Sequence, residues 1–136
     1  AGKGITNCES IVKDGGLLIL VTPCPEGFGP HPSYQEYLGS SNPDELIEST
    51  MDSQLEGEEL EDALPLAVGS VVSKISQRID IAVVSEGLDP AEVKECGLLS
   101  FEKIEDAVEY GLQRMGSKAQ ISVVPFGADS FVYTED

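Results

Sequence analysis

Apolar positions follow two different periods along this chain. Three short segments are rich in β-branched and other apolar residues, at 17–21, 79–84 and 119–124, which is typical of strands covered on both faces of a parallel sheet. Between them, apolar residues recur at helical spacing. This alternation predicts one α/β domain over residues 1–136: a layered α/β/α structure with a small, mostly parallel sheet of three to four strands flanked by helices.

Capping signals place the predicted helices. Asn42-Pro43 and Asp89-Pro90 each put a capping side chain before a proline at the first helical position, and glycines stand where other helices should end. Ser100 is expected to cap the helix that ends at Gly116. A short edge strand is expected around residues 131–133. The predicted helices cover about residues 3–13, 33–38, 43–55, 60–78, 90–96 and 100–115.

The loop after the first strand is the most distinctive segment. In an open α/β sheet, ligands bind in the loops at the carboxyl ends of the strands. Here prolines stiffen the chain, and glycines are expected to leave backbone amides accessible to a ligand. We therefore expect a functional loop at Cys24, Glu26, Gly27 and Gly29. Its lone Gly-x-Gly is not a dinucleotide fingerprint, because the third glycine is missing.

The net charge of the chain limits the classes of partner that it is expected to bind. The formal net charge is −17, and no lysine or arginine occurs between Lys13 and Lys74, so nucleic acids and anionic membranes are excluded as expected partners. The acidic stretch from Asp44 to Asp62 is expected to be a solvated surface, the alternative being a docking face for a basic partner. With no apolar run long enough to span a bilayer and no disulfide-like cysteine pattern, we expect a cytoplasmic protein.

Few side chains can carry chemistry. His31 is the single histidine, so no His-rich metal site is expected, and a surface role is favoured over a catalytic one. Cys24 could be a nucleophile, but a small buried thiol is the favoured interpretation. From the neighbouring sequence alone, Lys3 is expected to be an ordinary surface lysine, although it could bind a substrate carboxylate. The helical pattern already in progress at Ala1 indicates a cut end, as expected for part of a longer polypeptide.

Several motifs occur in an order that resembles one known family. They are Lys3-x(6)-Glu9-x-Ile11-Val12-Lys13-x-Gly15-Gly16, then Cys24-x-Glu26-Gly27-x-Gly29, Asp80-Ile-Ala-Val-Val-Ser85, Val93-Lys-Glu-Cys-Gly97-Leu98, Ala107 and Val123-Val-Pro125-x-Gly127. This succession resembles the C-terminal domain of the nickel-pincer-dependent lactate racemase family. In that family two α/β domains enclose a cleft, where a nickel-pincer nucleotide accepts a hydride from a 2-hydroxy acid and returns it to the opposite face.

The resemblance implies that the two domains have different roles. The N-terminal catalytic domain of the same polypeptide would hold the metal, the cofactor and the acid/base histidines, so this chain alone would bind no cofactor or metal, contain no catalytic residue and be inactive. Lys3 would match the lysine of a Tyr-Gln-x-x-Lys segment and bind the carboxylate of a small 2-hydroxy acid. The loop from Cys24 to Gly29 would face the cleft. The family often has a tryptophan near the substrate and this chain has none, which leaves the identity of the substrate open.

Two alternatives remain at this point. One is a non-enzymatic α/β interaction module that docks a basic partner through its acidic segment. The other is a domain that binds an anion through the amides of Gly27 and Gly29.

Overall fold

The computed structural model describes residues 2–31, 33–57 and 63–135. Its three strands form one parallel sheet in the order β1-β2-β3, which confirms the predicted α/β class. The elements, in chain order, are α1 Gly2–Cys8, a 3-10 turn Glu9–Ile11, β1 Leu17–Val21, α2 Tyr34–Leu38, α3 Pro43–Leu55, α4 Ala63–Ser76, β2 Asp80–Val84, α5 Pro90–Glu95, β3 Leu99–Phe101 and α6 Ile104–Met115. Within these ranges, no helix is long and apolar enough to cross a bilayer.

Both faces of the sheet are covered, as the apolar runs predict. Successive side chains of a strand point to opposite faces, and Leu18 belongs to the main core cluster. Its neighbour Leu17 points the other way, toward α6, where a Cβ placed on Gly111 would lie 3.1 Å from Leu17 Cδ2. Helices therefore lie on both faces of the sheet, in the predicted layered arrangement.

The main core lies between the sheet and the helices that precede and follow β2. Ile5 of α1, Leu38 of α2, Val72 of α4 and Val93 of α5 are all buried together there. Burying one such side chain contributes about 1.5–3 kcal/mol. Helices α2 and α4 approach closely at Gly69, where a Cβ would come within 2.7 Å of the Tyr37 Cβ. This packing fixes α2, and with it the Tyr34 side chain, above the end of the sheet.

The predicted helix starts at the two Asx-Pro signals are confirmed. The Asn42 Oδ1 accepts a hydrogen bond from the Glu45 amide at 3.4 Å, and the Asp89 Oδ1 accepts one from the Ala91 amide at 2.7 Å. These caps satisfy amides that the first helical turn leaves unpaired. Pro65 lies in the first turn of α4, while the predicted start of that helix at Leu60 falls outside the described residues.

The prediction of a third strand at residues 119–124 is wrong. The third strand is Leu99–Phe101, and within the described residues 119–124 belong to no strand. Gly97, at a φ of +73°, turns the chain directly after α5 so that Leu98 enters the core and the next residues pair with β2. Ser100 therefore pairs with Val83 rather than capping a helix, and Lys103 is the N-cap of α6.

The tail also forms no edge strand at residues 131–133. Instead it lies against α1 and the 3-10 turn: the Val132 amide donates to the Asn7 carbonyl at 3.3 Å, and the Ser10 hydroxyl donates to the Val132 carbonyl at 2.7 Å. Residues 131–133 therefore bond to α1 and the turn after it rather than to a strand of the sheet.

Arg78 links the segments at the amino-terminal end of the sheet through hydrogen bonds. Its guanidinium donates to the carbonyls of Glu9 at 2.7 Å and Val12 at 2.6 Å, and to the Asp14 carboxylate at 3.1 Å. It also pairs with the Glu9 carboxylate. Hydrogen bonds to Asp14 and Glu9 raise the pKa of Arg78. This end of the sheet is therefore closed by polar contacts, whereas the carboxyl end opens onto a pocket.

Candidate functional site

The loop after β1 is fixed to the turn after β2. The Thr22 amide donates to the Val84 carbonyl at 3.1 Å, and the Ser85 hydroxyl donates to the Pro23 carbonyl at 3.2 Å. Gly87 lies so close to this loop that a Cβ there would come within 2.5 Å of the Pro23 carbonyl oxygen and the Cys24 carbonyl carbon. A side chain at Gly87 would therefore clash with the backbone of the loop after β1, and the two loops are in close contact.

Successive tight turns shape the loop itself. Cys24, Gly27 and Gly29 all have positive φ, at 39°, 61° and 86°. The Gly27 amide donates to the Cys24 carbonyl and the Gly29 amide to the Glu26 carbonyl, both at 3.0 Å. The expectation that these amides are accessible to a ligand is therefore wrong, because the loop uses them to fold itself.

A pocket of about 540 Å³ opens at the carboxyl ends of the strands. The loop after β1 forms one side, and α1, α2, the start of α4 and the residues after β2 form the rest. All the site residues proposed from the sequence line it: Lys3, Cys24, Glu26, Gly27 and Gly29. The structure thus brings together residues separated by more than twenty positions in the chain, and their binding role stays a prediction.

The pocket combines one cation with an apolar wall. Lys3 is the one lysine or arginine among the described lining residues, and the acidic Glu26 lies in the same lining. Most of the other lining side chains are apolar, including Ile5, Leu20, Phe28, Val68, Leu88 and Leu98. A cation beside an apolar surface suits a small molecule that carries a carboxylate at one end.

Tyr34 is a lining residue whose role sequence reasoning missed. It falls within the predicted helix at 33–38 and carries no motif that indicates a site, yet its ring lies 6.4 Å from that of Phe28 within the pocket wall. Burial raises the pKa of Tyr34, and the neighbouring Cys96 and Cys24 raise it further. The Tyr34 hydroxyl therefore stays protonated near neutral pH and can donate a hydrogen bond.

Cys24 and His31 also line the pocket. Cys24 is half-buried rather than buried, and its Sγ lies 3.5 Å from the Thr22 hydroxyl. Cys96 is the buried thiol of this region, and burial raises its pKa to about 11, with smaller contributions from Glu92 and Glu95. The prediction of a small buried thiol therefore describes Cys96 better than Cys24.

No metal-binding cluster is found in the part of the chain that the structure describes: no three histidine, cysteine, aspartate or glutamate side chains are placed to hold one ion. The described residues therefore do not supply a set of ligands for a nickel ion.

Fold and pocket together define an α/β domain that carries its candidate site at the carboxyl ends of parallel strands. Residues 1–132 match the family model of the lactate racemase C-terminal domain. The chain belongs to this family, as its motifs predict.

Individual relatives show the same similarity at low identity. The chain is 23% identical to the lactate racemase of Lactiplantibacillus plantarum over 127 residues, and 22% identical to that of Thermoanaerobacterium thermosaccharolyticum over 130 residues. These matches cover 93% and 96% of this chain but only 29% and 30% of the relatives. The solved structure of the lactate racemase apoprotein from T. thermosaccharolyticum superimposes with a TM-score of 0.75 and 19% identity, covering 99% of this chain and 31% of that one. The chain therefore has this fold and spans about three tenths of the relatives' length.

Proposed function

We propose that this chain is the C-terminal domain of a lactate-racemase-like 2-hydroxyacid racemase or epimerase, and that it forms one wall of an interdomain active-site cleft. The N-terminal catalytic domain of the same polypeptide forms the other wall, so the chain is inactive alone. The observation that carries the proposal is the position of Lys3: within a chain of this family, it lines the same pocket as the loop from Cys24 to Gly29.

Lys3 binds the substrate carboxylate in this proposal. Its side chain is exposed on this domain, so it can reach a molecule held between two domains. The chain has 25 acidic against 8 basic residues. Lys3 is the one lysine or arginine among the described pocket residues, which also include Glu26 and many apolar groups, so it gives an anion one defined position. A charge-assisted hydrogen bond gains strength as water is excluded from the cleft.

The rest of the wall orients the substrate. The protonated Tyr34 hydroxyl can donate to a substrate oxygen, and the apolar lining holds the substituent at the 2-position. The loop is pinned by Gly87 and by its own amide hydrogen bonds, so it changes shape little when a substrate binds. Such preorganisation lowers the entropy cost of holding a reactant in position.

In this proposal the cofactor is bound by the upstream domain, as the resemblance to the family implies. Family membership is what supports a nickel-pincer nucleotide in the whole enzyme. This domain contributes contacts to the substrate and an apolar wall that excludes water from the cleft. We also place the enzyme in the cytoplasm, because the number and spacing of its three cysteines do not suit a disulfide framework.

The test is to produce the polypeptide with its upstream domain and to measure nickel content and racemisation. Single enantiomers of lactate and of larger 2-hydroxy acids are incubated with it and resolved by chiral chromatography. We expect conversion by the joined polypeptide and none by this chain alone. A nickel-loaded polypeptide that converts none of these acids would overturn the proposal, as would an upstream sequence without a Tyr-Gln pair before Ala1.

A further inference from the structure

The segment after α6 exposes an unusual amount of apolar surface. Ile121 and Val123 are 61% and 81% exposed, and three aromatic residues follow, Phe126, Phe131 and Tyr133, at 72%, 77% and 65%. Large exposed apolar areas on a protein surface mark places that bind another surface. We call residues 119–133 the apolar tail.

The first part of the apolar tail has the composition of a strand without a partner. The sequence of residues 119–124 is Ala-Gln-Ile-Ser-Val-Val. It is rich in the β-branched residues that are typical of strands. Within the described chain, however, the backbone amides and carbonyls of residues 120–125 form no backbone hydrogen bond. Unpaired amides beside exposed Ile121 and Val123 form an edge that proteins normally cover or pair.

The second part of the tail is held in a defined place. The Asn7 side-chain amide donates to the carbonyls of Gly127 and Ala128 at 3.1 and 3.2 Å, and Val132 exchanges hydrogen bonds with Asn7 and Ser10. These contacts are on α1 and the turn that follows it, and α1 also carries Lys3. The second part of the apolar tail therefore packs against the helix that carries Lys3 and the turn that follows it.

We propose that residues 119–124 add as an edge strand to a sheet of the upstream domain, and that the aromatic residues of the tail pack beside it. This inference rests on the proposed two-domain arrangement. The curated relatives are more than three times as long as the matched region, so a polypeptide of their kind has ample chain to supply the sheet. Strand addition pairs the free backbone groups, and alternate side chains supply specificity. It also explains why a sequence with a strand pattern forms no strand here.

Hydrogen–deuterium exchange on the polypeptide with its upstream domain tests this directly. We expect the amides of residues 120–124 to exchange at least a hundredfold more slowly than in an unstructured peptide of the same sequence, approaching those of α6. Exchange at the unstructured rate in a folded polypeptide would overturn the inference. Protection that rises with protein concentration, together with a dimeric mass, would assign the strand to a second copy and would also overturn it.

A matched pair of variants gives a second test. A protease site is introduced just before Gly2, and the two halves are passed over a sizing column after cleavage. We expect Ile121→Asp/Val123→Asp to separate the halves at concentrations where the unsubstituted protein and Ser122→Asp still co-elute. Co-elution of the double variant at the same concentrations as Ser122→Asp would contradict strand addition.

Racemisation measured on the same samples separates this inference from the proposed function. A nickel-loaded polypeptide that racemises none of the acids tested but shows slow exchange at residues 120–124 would overturn the function and retain the interface. An active polypeptide with fast exchange at residues 120–124 would retain the function and overturn the interface.

Discussion

The close contact at Gly87 leads to a prediction about the frame of the pocket. In Gly87→Ala the new methyl group would lie within 2.5 Å of backbone atoms of Pro23 and Cys24, and backbone cannot move aside as a flexible side chain can. Overpacking typically costs about 1–3 kcal/mol. The shift would also disturb the hydrogen bond from Ser85 to Pro23, worth about 1 kcal/mol. We expect the free energy of unfolding to fall by about 3 kcal/mol.

Gly29→Ala in the same loop is the matched control. Gly29 has a φ of +86° and nothing within 4 Å of its Cβ position, so alanine there meets backbone strain but no clash. That strain costs about 1 kcal/mol. Gly87 has no positive φ, so the two variants separate steric contact from conformational preference.

The assay is urea denaturation followed by far-ultraviolet circular dichroism, since the chain has no tryptophan. We expect Gly87→Ala to unfold at a lower midpoint than Gly29→Ala, with an unchanged slope. Equal midpoints would refute the contact between the two loops, and with it the rigid frame that we ascribe to the pocket.

Two further predictions concern stability. Burial raises the pKa of Cys96 to about 11 from a reference of 9.0, so the thiol holds its proton more tightly in the folded chain. Its contribution to the free energy of unfolding is therefore complete below pH 9 and is lost as the pH rises to 11. Cys96→Ala should reduce the loss of stability between pH 9 and 10 without abolishing it, because Tyr34, whose pKa is raised from 10.0, begins to contribute in the same range. An unchanged slope there would contradict the assignment. Arg78→Met should lower the free energy of unfolding by about 2 kcal/mol, because carbonyl and carboxylate partners lose their donor. Arg78→Lys should recover less than half of this in the same urea titration, and full recovery would show that charge alone matters.

The sequence was sufficient for elements whose signals are local. Asn42 and Asp89 cap helices through their own side chains, and the runs that form β1 and β2 are long enough to show burial on both faces. The loop from Cys24 to Gly29 could be proposed from its prolines, its glycines and its place after β1, and Lys3 through the resemblance. The structure shows that they line one pocket.

Other features depend on contacts between distant parts of the chain. Residues 119–124 have the pattern of a strand, but whether a strand forms depends on a partner edge that the pattern does not specify. β3 has only three residues, too few for a periodic signal. Tyr34 reaches the pocket because Gly69 lets α2 approach α4, and Gly87 matters because of a loop some sixty residues earlier.

The central claim is that Lys3 binds the carboxylate of a 2-hydroxy acid, and the most direct measurement is the KM for that acid in the active two-domain polypeptide. Losing a charged hydrogen bond costs about 1.5–3 kcal/mol. We therefore predict that Lys3→Met raises KM, or lowers kcat/KM, by about tenfold to a hundredfold. Lys13→Met, which removes an equal charge ten positions along the chain, should change neither quantity by more than about twofold. Equal effects of the two substitutions would contradict the account.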